Sequence, residues 1–257
     1  MSLKGAPQEA LSAWAASGSG ENSKTGIILV HGFTSTPSVM RPWAEFLHSH
    51  GYSVRVPLLP GHGTSIEDLE NVSWQQWPAE IESHLTNLLK DCEKVFLCGF
   101  SMGGAASLNV AARYQSELTG IILVNPMIHR QGVWPTAVKF AAKFFKSFGT
   151  SGSDIKRSDV IQWKYDRTPM RAAHQLLLLL ENTRPVLSKI KTPLLLLRSE
   201  IDHTLPSTNS EEILSRIGSL SKEEIVLSNS FHVAPLDHDQ NYLFKTSLVF
   251  IRRHSAL

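Results

Sequence analysis

Val95-Phe96-Leu97-Cys98-Gly99-Phe100-Ser101-Met102-Gly103-Gly104-Ala105-Ala106-Ser107-Leu108-Asn109-Val110-Ala111-Ala112 decides how the chain is read. Val95 to Cys98 is a continuous apolar run, as a short buried strand should be. From Gly104 onward small residues predominate, which suits a helix packed closely on its neighbours. Between them stands Gly99-Phe100-Ser101-Met102-Gly103, a G-x-S-x-G pattern at a strand-to-helix turn. So tight a turn leaves no room for bulky Cβ substituents beside the serine, hence Gly99 and Gly103. It holds Ser101 in a strained conformation and projects Oγ above the sheet edge. The helix that follows aims its N-terminal amides at whatever negative charge forms beside that oxygen. The five letters alone would be a weak signal; their setting between strand and helix strengthens it.

Upstream, Gly26 to Val30 forms another continuous apolar run. It is followed by the loop His31-Gly32-Phe33-Thr34-Ser35-Thr36-Pro37 and a helix expected from about Ser38 to His50, ended by Gly51. Tyr52 to Val56 reads as a strand closing on Pro57, Leu58 to Thr64 as a turn-rich loop, and Trp74 to Lys90 as a helix. Downstream, Gly120 to Asn125, Pro193 to Leu197 and Glu224 to Leu227 read as strands. Helices are expected around Ser210 to Ile217 and from Asn241 to Arg253. Alternating strands and helices predict an α/β fold with a mostly parallel, doubly wound sheet, helices on both faces and right-handed crossovers. In such a sheet ligands bind at the carboxyl ends of the strands, where Phe33, Ser101 and Asn125 are expected to lie.

The alternation stops between residues 126 and 190, where no good strand is apparent and helical segments take over. The expected organisation is therefore a core of residues 26–125 and 191–257 interrupted by a small helical cap, 126–190. Residues 1–25 precede it as a partly flexible segment or a short edge strand. Within the cap, Val138 to Phe148 is expected to be a helix, with Phe140, Phe144, Phe145 and Phe148 on one side and Lys139, Lys143 and Lys146 on the other. Two readings stand for that face: packing onto the domain, or a wall of an acyl pocket whose basic side makes transient lipid-surface contact. Leu176 to Leu180, apolar all round, is expected to be helix wedged between cap and core.

At 257 residues, with 42% hydrophobic and 19% charged residues, the chain suits one large globular domain. A net charge of +2 gives no reason to expect nucleic acid as a partner. Cys92 and Cys98 read as reduced packing residues. No apolar stretch approaches the ~20 residues needed to span a bilayer, and Met1 to Gly5 lacks the apolar core of a signal peptide, so a cytoplasmic location is expected. Neither a P-loop, G-x-G-x-x-G, H-E-x-x-H nor paired C-x-x-C is present, so no cofactor and no metal are indicated.

A serine hydroxyl needs a base to become a nucleophile at neutral pH. In this topology the serine is followed along the chain by an acid and then a histidine, each on a loop after a strand. Asp202 follows the Leu194–Leu197 run, with Glu200 as a competing carboxylate nearer the strand. Among 11 histidines, His232 is the one just past the last strand, with His238 its nearest rival. Asp237 and Asp239 read as residues that cap or hydrogen-bond locally. His31 and His62 read as structural histidines near the loops. Ser101, His232 and Asp202 therefore form the expected acyl-transfer set, with the backbone N–H groups of Phe33 and Met102 as oxyanion donors. Because those two act through backbone, their side chains, with Asn125, Phe144 and Val233, are expected to contact substrate.

These residues resemble the α/β-hydrolase superfamily, and within it bacterial carboxylesterases and monoacylglycerol lipases. The resemblance rests on Leu29 to Thr34, Met40-Arg41-Pro42, Leu59 to Thr64, Gly99 to Gly104, Gly152 to Lys156, Thr168-Pro169 and Asn229 to Val233. It implies esters of short-to-medium acyl chains or monoacylglycerols as substrates. Where monoacylglycerol lipases of this type carry a cap glutamate able to hold the glycerol head group, this chain carries Gln162. A thioesterase or amidase on the same three residues, and a non-catalytic binding or sensor protein on the same fold, are the alternatives.

Overall fold

Seven strands form one sheet in the computed structural model, which describes residues 3–130, 138, 146–149 and 152–256. They are β1 (Trp14–Ala16), β2 (Thr25–Val30), β3 (Ser53–Val56), β4 (Lys94–Phe100), β5 (Gly120–Val124), β8 (Leu194–Ser199) and β9 (Lys222–Leu227). Two more, β6 (Ser147–Gly149) and β7 (Arg167–Pro169), pair with each other as a separate antiparallel ribbon. The sheet order is β1-β3-β2-β4-β5-β8-β9, parallel throughout except where β1 joins β3 at the edge. The N-terminal segment thus supplies an edge strand.

The helices are α1 (Gln8–Leu11), α2 (Arg41–Ser49), α3 (Ile66–Glu70), α4 (Gln76–Leu88), α5 (Met102–Ala111), α6 (Met170–Thr183), α7 (Thr208–Arg216) and α8 (Gln240–Ser255). Because successive side chains on a strand point to opposite faces, the continuous apolar runs feed two cores. Ile28, Val30, Leu97, Ile121, Leu123, Leu194 and Leu196 pack under α4, α5 and α6. Ile27, Leu29, Cys98, Ile122, Val124, Leu195 and Leu197 pack under α2 and α8. Complete burial of one such side chain contributes about 2 kcal/mol, which is what fixes the strand register. Every residue of α5 is buried, and its small side chains let it lie close against β4. Cys92 and Cys98 are both buried and unpaired, and burial raises the Cys98 thiol far above its ordinary range.

The stretch 126–190 differs from its expected form where it is described. Phe148 lies in β6, opposite Thr168, and does not continue a helix from Val138. Thr168 precedes Pro169, which biases it toward extended backbone, while Ser147 and Gly149 are poor helix formers. Phe140, Phe144, Phe145, Lys139 and Lys143 lie outside the described residues. From residue 152 to 166 the chain runs without helix or strand, then β7 leads into α6. In α6, Leu176, Leu177, Leu179 and Leu180 are buried, and Thr183 accepts a hydrogen bond from Asn109 Nδ2 of α5 at 3.2 Å.

Candidate active site

The site is built outward from the turn between β4 and α5. Ser101 sits there at φ 54°, ψ −120°, a conformation L-residues rarely adopt. The turn is held by Ser101 N donating to Val124 O (3.1 Å), while Gly104 N and Met127 N donate to Ser101 O (both 3.0 Å). A Cβ added at Gly99 would stand 2.6 Å from Gly103 O, and one at Gly103 would stand 2.5 Å from His31 O. No side chain fits at either position.

Ser101 Oγ donates to His232 Nε2 at 3.1 Å, and His232 Nδ1 donates to Asp202 Oδ2 at 2.7 Å. All three side chains are largely buried. Asp202 Oδ1 accepts from the amides of Thr204 (2.8 Å) and Leu205 (2.7 Å), so the carboxylate is pinned on both oxygens. His232 is placed from below by Asn125, which occupies a left-handed conformation (φ 41°) just past β5. Asn125 Nδ2 donates to His232 O (2.7 Å) and Ser199 Oγ (3.0 Å), and Asn125 Oδ1 accepts from Ser199 N (2.7 Å). The imidazole also tilts against the Phe100 ring, with centroids 5.1 Å apart.

The loop after β2 passes directly beside the serine. A Cβ at Gly32 would come within 3.2 Å of Ser101 Cβ. Among the described residues, no hydrogen bond is made by the backbone N–H of Phe33 or Met102. His31 supports this loop: Leu59 N donates to its Nε2 (3.2 Å), so the proton sits on Nδ1, which donates to Gly32 O (2.9 Å). Burial lowers the His31 pKa to about 4. His62 Nδ1 donates to Pro60 O (3.1 Å), and burial first, then the neighbouring His31, lowers its pKa to about 3. Both rings are therefore neutral struts, and the Phe33 ring stands edge-on to His62 and Trp77.

A cavity of about 340 Å³ opens over Ser101. Its apolar walls include Phe33, Met127, Phe148, Leu176 and Val233, and its polar side includes Arg130, Asp154, Gln162 and Lys164. Burial lowers the pKa of the Lys164 ammonium, opposed by the Asp154 carboxylate. Of the residues expected to contact substrate, Phe33, Gln162 and Val233 face this cavity; Phe144 lies outside the described residues. Met102 and Asn125 do not line the cavity. The Met102 side chain points down into the core under α5, because the first turn of that helix is buried on every side. The Asn125 side chain bonds to Ser199 and to the His232 carbonyl.

Residues outside the expected reacting set also converge here. Asp237 is completely buried and accepts from the amides of Lys156, Arg157, Phe231 and His238 at 2.7 to 3.0 Å. Tyr165 Oη accepts from Thr64 N (3.0 Å) and donates to Gly61 O (2.9 Å), tying the segment before β7 to the loop after β3. The pairing of Asp237 with residues 80 or more positions away carries no local sequence signal. Among the described residues no cluster of three metal-ligating side chains is present.

The sequence profile of the family described as serine aminopeptidase, S33, matches residues 21–239. The thermostable monoacylglycerol lipase of Bacillus sp. (strain H-257) is 36% identical over 236 residues, covering 92% of this chain and 94% of the lipase. A carboxylesterase of Bacillus subtilis (strain 168) is 22% identical, covering 88% of this chain and 92% of its own length. A solved structure from the work on LipS and LipT, two metagenome-derived lipolytic enzymes, superposes with a TM-score of 0.91 at 33% identity, covering 95% of this chain and 98% of the other. The profile runs through every strand from β2 to β9 and stops where α8 begins, and with a relative so similar over nearly the whole length, this chain belongs to the α/β-hydrolase family described as serine aminopeptidase, S33.

Proposed function

We propose that the protein is a carboxylic ester hydrolase that cleaves short-to-medium acyl esters or monoacylglycerols through an acyl-enzyme on Ser101. The observation that carries this reading is the unbroken relay from Ser101 Oγ to His232 (3.1 Å) to Asp202 (2.7 Å) in the floor of the cavity. In this reading Ser101 Oγ attacks the ester carbonyl carbon while His232 Nε2 takes its proton. Asp202 keeps the other ring proton on Nδ1 and stabilises the imidazolium. The carbonyl oxygen, now negative, receives the uncommitted amides of Phe33 and Met102; loss of one such donor typically costs about 3 kcal/mol of barrier. His232 returns the proton to the departing alcohol, and a water molecule, deprotonated by the same ring, releases the acid.

The apolar wall of Phe33, Met127, Phe148, Leu176 and Val233 suits an acyl chain, and a volume of about 340 Å³ suits a short or medium one. Gln162 offers a neutral amide to an alcohol group, weaker than a carboxylate would be. Residues 26–125 and 191–257 would form the catalytic core and 126–190 the cap over it. The relatives named monoacylglycerol lipase and carboxylesterase support the ester class. Recognition of a peptide's free amine, by contrast, needs an available carboxylate, and that of Asp154 is already surrounded by protein donors.

A fluorophosphonate probe tests the reading: Ser101 is expected to be labelled covalently, and Ser101→Ala to lose both labelling and ester turnover. Absence of labelling in the wild-type protein rejects it. Comparing kcat/KM for a monoacylglycerol and an ethyl ester of the same acyl chain then assigns the alcohol preference.

A further inference from the structure

We propose that Asp154 is a positioning residue that ties the loops bearing His232 and Asp202 to the segment 154–157 and so aligns the relay. The proposal rests on the reading of Ser101, His232 and Asp202 as the reacting set. Asp154 lies in the segment between β6 and β7, far in sequence from both loops. Its Oδ1 accepts from His203 Nδ1 at 2.7 Å. Its Oδ2 accepts from His203 N (2.9 Å), Thr204 Oγ1 (3.3 Å) and His232 N (3.4 Å). Its backbone O accepts from Val233 N at 3.1 Å.

One residue therefore bonds to both neighbours on the C-terminal side of Asp202 and to the backbone of His232 itself. The lone pairs of a carboxylate accommodate about four donors, and these four nearly exhaust them. That occupancy argues for positioning over substrate contact, although Asp154 borders the cavity. Two neighbouring features extend the same lock. The His203 ring stands edge-on to Phe231 at 4.6 Å, linking the two loops directly. Asp237, already described, binds the amides of Lys156 and Arg157 on the cap side and of Phe231 on the loop side. The strap 154–157 is thus bonded to the His232 loop on both sides. Displacing a reacting group by about 1 Å slows chemistry on the order of a hundredfold, so a strap of this kind acts on rate more than on binding.

The test compares wild type, Asp154→Asn and His203→Phe, with Asp166→Asn, an exposed carboxylate just before β7, as control. Asp154→Asn replaces one acceptor oxygen by a donor; His203→Phe removes the Nδ1 bond and keeps the ring against Phe231. Ester kinetics and the rate of fluorophosphonate labelling are measured per folded molecule, folding being checked by thermal melting. In Asp154→Asn both kcat and the labelling rate are expected to fall about tenfold to a hundredfold while KM stays within about twofold. His203→Phe should move the same quantities less, the double variant should be less than additive, and the control should match wild type.

Three results overturn the proposal: unchanged kcat and labelling in folded Asp154→Asn, a rise in KM alone, or a loss wholly explained by unfolded protein. If Asp154→Asn does not fold, unchanged labelling in His203→Phe overturns it. A wild-type protein that is never labelled rejects the esterase reading; equal labelling of wild type and Asp154→Asn rejects only the role of Asp154.

Discussion

Ser101 at φ 54° is held in a conformation worth about 1–3 kcal/mol of strain, and its neighbours supply the restraint. Gly103 is the tightest of them, since any Cβ there meets the carbonyl oxygens of Val30 and His31. Those oxygens belong to backbone that cannot rotate away, so Gly103→Ala must shift the turn or β2. The expected result is a loss of about 2 kcal/mol or more in urea-unfolding free energy, together with slower fluorophosphonate labelling in the protein that still folds. A variant with wild-type stability and labelling would show that the turn has slack.

At the scale of elements, the site depends on the ends of three strands being held in register within one sheet. β4 presents Ser101, β8 leads to Asp202, and the loop after β9 carries His232. Asn125, just past β5, joins Ser199 at the end of β8 to the His232 carbonyl. Asn125→Ala would leave the Ser199 amide and the His232 carbonyl without these partners and place Ala at a positive φ. A destabilisation of about 2–4 kcal/mol is expected by denaturant titration, with reduced kcat. Asn125→Asp should fall between the two, because it keeps the acceptor for Ser199 N and loses the donor to His232 O.

For the whole molecule, His31 and His62 make stability depend on acidity. Folded, they take up protons only near pH 4 and pH 3, whereas an unfolded histidine does so near 6.5. Below pH 6.5 the unfolded chain therefore binds more protons than the folded one, and stability falls as pH falls, by about 1.4 kcal/mol per pH unit for each histidine. That loss continues down to about pH 4 for His31 and about pH 3 for His62. Above pH 6.5 neither residue contributes a slope. The thermal midpoint measured between pH 7 and pH 4 should drop steeply, and His62→Asn, which keeps a donor for Pro60 O, should flatten the curve. An unaltered curve in that variant would contradict the buried neutral state of His62. No helix among the described residues is long and apolar enough to cross a bilayer.

Local pattern in the chain was enough for most of the sheet. Apolar runs such as Ile27 to Val30 and Leu194 to Leu197 are strands because both faces are covered, and that demand is written into each run separately. Ser101 could be picked out because its turn requires glycine on both sides, and Asp202 and His232 because each follows a strand. The cap was less legible: β6 at Ser147–Gly149 acquires its identity from pairing with Arg167–Pro169, about 20 positions away. That the Met102 side chain packs in the core was not legible, because a role for its backbone N–H leaves the direction of the side chain open. The roles of Asn125, Asp154 and Asp237 were decided by tertiary structure alone, since a carboxylate or amide becomes a positioning group only when distant backbone donors and acceptors are brought around it.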